Sequence, residues 1–284
     1  MYSVTLRGEK VGILEFLFGK KRSDKQRTDF KRSGNETKPE ECGFCRKGKI
    51  YLDVPYTEKD RAKALGARWD PDIKKWYYEG TAKNYVKFAE WLSDSDEITI
   101  AFDYLYIVER PRICYRCGKQ TRVVGLALGE HMVISEDDNG KRECSCFEDK
   151  VDSQNLFVTW ELCEDAIPPA LLEYLKNNYN LHVGSSKIGG VYFANHCECC
   201  GAIQGSNYLA EEDLCFAAET PEGIVELKKY RVYAVGIDED LVIDWNIGYS
   251  EKDGVYLKYG KLCELKLPQS KFEDVITYRE LHDL

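Results

Sequence analysis

Two short cysteine strings constrain this chain more than any other feature: Cys114-Tyr-Arg-Cys117-Gly118 and Cys197-Glu-Cys199-Cys200-Gly201. A CxxC pair presents both sulfurs from one tight turn, and the glycine after it can take the left-handed conformation that aims backbone N–H groups at the thiolates. Two such turns meeting make a closed tetrahedral set, so Cys114, Cys117, Cys197 and Cys200 read as the ligands of a structural Zn2+. An ion closed by four thiolates keeps no open position for water and performs no Lewis-acid chemistry. The 79 residues from 118 to 196 separate the turns. Each doubling of loop length costs only roughly 0.6 kcal/mol. Structural zinc binds with about 10–16 kcal/mol, so the ion can clamp an insertion of that size.

Neighbouring residues offer rival ligands. His196 and Cys199 flank the second turn, but Cys200 precedes Gly201 as Cys117 precedes Gly118, and the parallel selects Cys197 with Cys200. A histidine beside such a turn is more often a packed or supporting residue, which is the reading for His196. Cys42 and Cys45 form another CxxC pair whose available partners are Cys144 and Cys146, a candidate second metal site. Its bland counterpart is a pair of free thiols on a loop. Cys163, Cys215 and Cys263 stand alone in apolar settings and read as core.

Twelve cysteines in a small secreted domain would mean disulfides. Here pairs sit at metal spacing, and the early apolar run Val11–Phe18 is interrupted by Glu15, followed by Lys20-Lys21-Arg22, and too short to span a bilayer. The expectation is a reducing cytoplasm and no membrane.

Charge is distributed unevenly. Of the net −9, residues 1–50 carry +6, residues 51–95 are neutral and residues 96–284 carry −15. Affinity for polyanions comes from Lys and Arg, so nucleic-acid contact is expected from the first 95 residues and not from the acidic body.

Residues 1–48 read as a basic segment and linker, because Gly19–Glu41 is polar and lacks apolar periodicity. A small module follows at 49–95. Ile50–Val54 is rich in strand formers and ends at Pro55; Thr57 is placed to cap a helix over 58–65 that stops at Gly66; Asp70-Pro-Asp72 is a turn before the strand Lys75–Tyr78. Thr81 then opens a second helix, with Tyr85, Phe88, Ala89 and Leu92 on one face. Residues 97–109 alternate through Ile98, Ile100, Phe102, Tyr104, Tyr106 and Val108, which predicts one long strand into the first cysteine turn. Pro168-Pro169 opens a helix, and segments from Ile224 onward read as strands. The expected fold class is α+β: a small βαβ-type module at 49–95, a zinc-ribbon domain with an insertion at 96–210, and a β-rich part at 211–284.

The string Tyr51-Leu-Asp-Val-Pro55-Tyr56 through Lys59, Ala62, Lys63, Leu65-Gly-Ala67, Trp69-Asp70 and Lys75-Trp76-Tyr77 resembles a small domain of unknown function that accompanies TraC-type primases of plasmids and mobile elements. Its strand, helix and WDxxxKxW hairpin is similar, more distantly, to the HARP domain of annealing helicases. The segment ending Asn195-His-Cys-Glu-Cys-Cys-Gly-Ala-Ile-Gln204-Gly205 resembles a zinc ribbon fused to this domain in bacterial proteins. These resemblances cover roughly residues 49–210 and imply a nucleic-acid setting with no activity assigned.

Within the module, aromatic faces supply base-stacking platforms and Lys59, Lys63, Arg68, Lys74 and Lys75 lie close enough in sequence to meet phosphates. A unit this small needs large side chains for its core, so Trp69 and Trp76 are expected inside and Tyr56 and Tyr78 outside as stacking residues. Catalytic signatures are missing: there is no GxxxxGK[ST], HExxH, GxSxG or strand-borne GxGxxG. Asp238-Glu-Asp240 with Asp244 reads as a charged turn in preference to a magnesium site. The expectation is therefore a zinc-stabilised binding protein of DNA or RNA, without catalysis of its own. Its alternative is an adaptor whose acidic body meets a basic protein.

Overall fold

In the computed structural model the described residues are 46–137, 139–147, 156–186, 190–210, 218–245 and 254–267. They form a mixed, strand-rich architecture and belong to one compact unit, residues 41–284.

The chain enters on β1 (Lys47–Leu52), whose alternation buries Ile50 and Leu52 on one face. A 3-10 turn at Tyr56–Glu58 leads into α1 (Lys59–Ala64), so Thr57 lies inside that turn and its side chain caps nothing. Pro55 fixes the entry and moves the helix start past the expected cap. Strands β2 (Arg68–Asp70) and β3 (Lys75–Thr81) return as a hairpin, giving an antiparallel sheet in the order β1-β3-β2. The predicted second helix is a 3-10 segment, Ala82–Trp91, and Thr81 does not cap it. Its buried residues explain this: Ala82, Tyr85, Phe88 and Trp91 recur every third position, the 3-10 period.

The alternating stretch after it is two strands. β4 (Glu97–Ala101) and β5 (Tyr104–Ile113) lie in different sheets, separated where Asp103 takes a positive φ of 53°. Alternation concealed the break because Leu105 and Ile107, on the face opposite to Tyr104 and Tyr106, are apolar as well and fully buried. β6 (Gln120–Leu128) and β7 (His131–Glu136) follow, then β8 (Arg142–Phe147) and β9 (Phe157–Thr159). Helix α2 (Pro169–Asn178) starts at the paired prolines. A separate three-stranded sheet holds β10 (Leu181–Ser186), β11 (Gly190–His196) and β12 (Ile203–Gln204), followed by the short α3 (Ser206–Ala210).

Strands from the C-terminal segment complete the earlier sheets. β13 (Arg231–Gly236) pairs antiparallel with β5, β14 (Leu241–Ile243) pairs with β4, and β15 (Lys261–Leu265) runs parallel to β13. The resulting sheets read β15-β13-β5-β6-β9 and β14-β4-β7-β8. One core of Leu105, Ile107, Val124, Leu126 and Leu128 is covered by Leu171 and Leu175 of α2. A second core joins Ile50, Leu52, Trp76, Tyr85 and Phe88 to Ile98, Ile100, Met132 and Ile134, so the small sheet and the four-stranded sheet share one interior.

A buried carboxylate fastens that junction. Asp240 accepts the Tyr85 hydroxyl at 2.6 Å and the Arg46 guanidinium at 2.9 Å, while its own amide donates to the Lys49 carbonyl at 2.8 Å. Gly48 permits this approach, since a Cβ there would stand 2.0 Å from the Asp240 carboxylate. Burial pushes the Asp240 carboxyl above its ordinary range, against the pull of Tyr85 and Arg46. The charged turn expected at 238–240 is present, but one of its three acids is an internal anchor.

Candidate metal centre

The β5–β6 hairpin closes at Ile113↔Gln120, directly around Cys114–Lys119, and β11–β12 closes at His196↔Ile203, around Cys197–Ala202. The two turns repeat one another bond for bond. Gly118 N–H donates to the Cys114 carbonyl and Gly201 N–H to the Cys197 carbonyl, both at 2.9 Å; Cys114 N–H reaches the Lys119 carbonyl at 2.9 Å and Cys197 N–H that of Ala202 at 2.8 Å. Gly118 and Gly201 sit at φ +68° and +67°, a left-handed conformation that costs a non-glycine residue energy.

Hydrogen bonds hold the turns face to face. The Asn195 side chain accepts from the Val124 amide and donates to the Val124 carbonyl, both at 2.8 Å, so an amide side chain stands in for a strand partner between β11 and β6. Glu198 accepts from the Arg122 guanidinium at 2.6 and 2.9 Å and from its amide at 3.0 Å. The Glu198 amide donates to the Thr121 hydroxyl at 3.0 Å.

These clamps bring the four sulfurs of Cys114, Cys117, Cys197 and Cys200 within 4.8 Å of one another. Cys114 Sγ lies 3.7 Å from Cys200 Sγ, and Cys117 Sγ lies 3.7 Å from Cys197 Sγ. A tetrahedron with metal–sulfur bonds of about 2.3 Å has edges of about 3.8 Å, whereas a disulfide needs about 2.05 Å. The separations fit a tetrathiolate cage and not a covalent pair.

N–H groups are supplied to the sulfurs as well. Arg116 and Cys199 amides point at Cys114 and Cys197, each at 3.4 Å, and Gln204 Nε2 lies 3.5 Å from Cys114 Sγ. Burial pushes the Cys114 thiol up, but amides of Cys117 and Arg116 and the adjacent sulfurs outweigh it and hold it down at about 6. At Cys200 the Ala202 amide pulls down, yet burial and three neighbouring sulfurs push it up to about 12. N–H donors therefore favour a thiolate at Cys114, while neighbouring sulfurs oppose one at Cys200.

The rival ligands lie apart from this cage. His196 is buried, stacks on His182 with centroids 3.6 Å apart, and engages the Ala194 carbonyl through Nδ1 at 2.9 Å. Cys199 is exposed, and among the described residues Cys114, Cys117, Cys197 and Cys200 alone bring three or more potential ligand atoms together. Cys42 and Cys45 lie outside the described residues; Cys144 and Cys146 sit on β8 opposite Ile134 and Met132, packed against the shared core.

The module's proposed contact residues divide. Tyr56 is 80% exposed with Lys59 Nζ 3.7 Å from its ring centroid. Lys63, Arg68 and Lys74 are exposed and Lys75 is half-buried. Tyr78 packs instead into the core, its ring 4.7 Å from Phe88 and its hydroxyl accepting from Asn84 at 2.9 Å. Trp76 is 8% exposed as expected, but Trp69 is 48% exposed, which corrects the reading that both tryptophans lie inside. Trp69 pairs opposite Trp76 on the edge strand β2, where the two rings meet at a steep angle with centroids 5.6 Å apart and, among the described residues, no strand lies beyond. Sequence reasoning also missed Tyr51 and Tyr77 on the sheet's outer face, with Lys49 Nζ 4.4 and 4.9 Å from their rings. The signal was the alternation of β1 and β3, which places them on one face.

Comparisons with known proteins cover the chain unevenly. Residues 49–93 match a family described as a domain of unknown function, DUF5710. A protein named DNA primase TraC, from Escherichia coli, is 25% identical over 200 residues, which is 70% of this chain and 12% of the primase. Another of the same name and organism is 46% identical over 43 residues, 15% of this chain and 4% of that primase. The chain thus spans a small fraction of the relatives it matches. No solved structure matches it significantly. Among the described residues no helix is long and apolar enough to cross a membrane.

Proposed function

We propose that this chain is a zinc-stabilised binding protein, without catalysis of its own, that contacts nucleic acid through the module at 49–95 in a mobile-element or phage-related setting. The observation that carries the reading is the pair of exposed aromatic side chains in the module, Tyr56 and Trp69, with Lys59 Nζ 3.7 Å over the Tyr56 ring and Lys63 Nζ 5.6 Å over the ring of Trp76, which Trp69 packs against. Exposed rings cost solubility and stabilise little, whereas a base stacked on one is worth about 1–3 kcal/mol. Zinc is the metal that suits four thiolates at these separations, and its role is to tie the β5–β6 and β11–β12 turns together. Cys42, Cys45, Cys144 and Cys146 are the candidate ligands of a second site, with free thiols as the alternative. Elemental analysis tests both assignments: two zinc ions per chain support the second site, one restricts binding to the cage, and none overturns the zinc reading.

The nucleic-acid reading is tested by mobility shift with single- and double-stranded DNA and RNA over a range of salt. Binding should be strongest at low salt, and replacing Tyr56 and Trp69 with alanine should weaken it by about 5- to 150-fold per stacked base. Absence of binding at low salt would favour the acidic body, −15 over 96–284, as a surface for a basic protein partner.

A further inference from the structure

Within the acidic body, the first cysteine turn is basic and aromatic. Residues 110–122 contain five Arg and Lys and no carboxylate, within a segment of net −15. Two of the five are engaged internally: Arg110 is buried with its guanidinium 4.3 Å from the Trp160 ring, and Arg122 is held by Glu198. Arg112 lies 3.9 Å over the ring of Tyr208 and donates to its carbonyl at 3.0 Å. Tyr208 meets Tyr115 edge-on, centroids 5.9 Å apart, and its hydroxyl donates to the Ile113 carbonyl at 3.3 Å. Tyr115 is 60% exposed and Ile113 58%. Arg116 and Lys119 are exposed on the same turn, and among the described residues neither pairs with a carboxylate.

A tight turn has little interior in which to hide side chains, and that alone accounts for the exposure of Tyr115. It does not account for the bracing of Tyr115 through Tyr208 by Arg112, or for two cations beside it that pair with no carboxylate among the described residues, on a body of net −15. An acidic peptide would satisfy the cations and leave the ring unused. A duplex hides its base faces inside the stack. A single strand uses both features, a base on the ring and phosphates on the cations.

We propose that the tip of the first cysteine turn, Ile113, Tyr115, Arg116 and Lys119 with Tyr208 behind them, is a binding site for single-stranded nucleic acid, separate from the exposed Tyr56 and Trp69 of the module. Tyr115 stacks on a base and Arg116 and Lys119 meet the flanking phosphates. Bracing lowers the entropy that an exposed side chain otherwise loses on binding.

The test uses the full chain, with short oligothymidylate and oligouridylate as probes, a duplex, inorganic polyphosphate and polyglutamate as comparisons, and fluorescence anisotropy as the readout. Tyr115→Ala should lower affinity for the single strands about 5- to 150-fold, and Tyr115→Phe, which keeps the ring, should restore it. Arg116→Ser with Lys119→Ser should flatten the slope of log affinity against log salt by about 1.4, at about 0.7 per phosphate contact. Metal content measured on each variant shows that the turn is intact; if Tyr115→Ala loses metal, the phenylalanine and serine variants carry the test. Wild-type affinity and slope in the serine variant would overturn the site, as would polyphosphate or polyglutamate binding as tightly as the strands. Loss in Tyr56→Ala/Trp69→Ala with no loss in the turn variants sinks this site alone and leaves the module; the opposite pattern sinks the module alone.

Discussion

Removing one cage ligand, Cys200→Ser, is the perturbation whose size follows most directly from the structure. Cys200 is exposed, so its replacement leaves no large void, and what is lost, on the proposed zinc reading, is the metal link between the β5–β6 turn and the β11–β12 turn. That link closes the loop from Cys114 to Cys197. Treated as a cross-link of about 80 residues, it removes about 4.5 kcal/mol of conformational freedom from the unfolded chain. In a domain of this size each 1 kcal/mol moves the melting temperature by about 2–4 °C, so the expected fall is about 9–18 °C. The assay is thermal unfolding with zinc content measured on the same samples, in wild type, Cys200→Ser, Cys199→Ser and chelated wild type. Cys199 lies outside the cage, so its variant should melt with wild type, and chelation should reproduce Cys200→Ser. Equal falls in the two serine variants, or chelated protein that melts unchanged, would refute the clamp.

Three further outcomes follow from named contacts. Asn195→Ala orphans the buried amide and carbonyl of Val124 and should cost about 2–4 kcal/mol in urea unfolding with the slope unchanged. Trp76→Ala should cost about 3–5 kcal/mol and Trp69→Ala much less in the same assay, reversing the ranking that applies to strand affinity. Asp240 has a raised carboxyl pKa, so the folded state holds its proton more tightly than the unfolded state does. Its contribution is fullest below the ordinary carboxyl value and is lost as pH rises through the folded value; stability of wild type relative to Asp240→Asn should therefore decline upward from about pH 4, and a flat difference would contradict the burial of Asp240.

Local patterns were legible because they are decided within a turn. CxxCG states both the position of two sulfurs and the left-handed glycine that the turn requires, and Gly118 and Gly201 adopt it. Pro168-Pro169 placed a helix start for the same reason, as proline is already set for a first turn. Where two conformations share a pattern, the reading slipped: a period of three at 82–91 passed for an α-helix, and continuous alternation at 97–109 hid the turn at Asp103.

What the chain determined by itself, then, is the pair of cysteine turns, the strand-rich character and the acidic body, all properties of composition or of neighbours a few residues apart. Only the tertiary structure decided which aromatic residues face water, because exposure depends on what packs from elsewhere. Tyr78 is covered by Phe88 while Trp69 stands on an edge strand with, among the described residues, no strand beyond it. The same holds for Asp240, whose anchor Arg46 is 194 residues away, and for the cage itself: its two halves are local, but their meeting rests on Asn195, Arg122 and Glu198 bridging separate sheets.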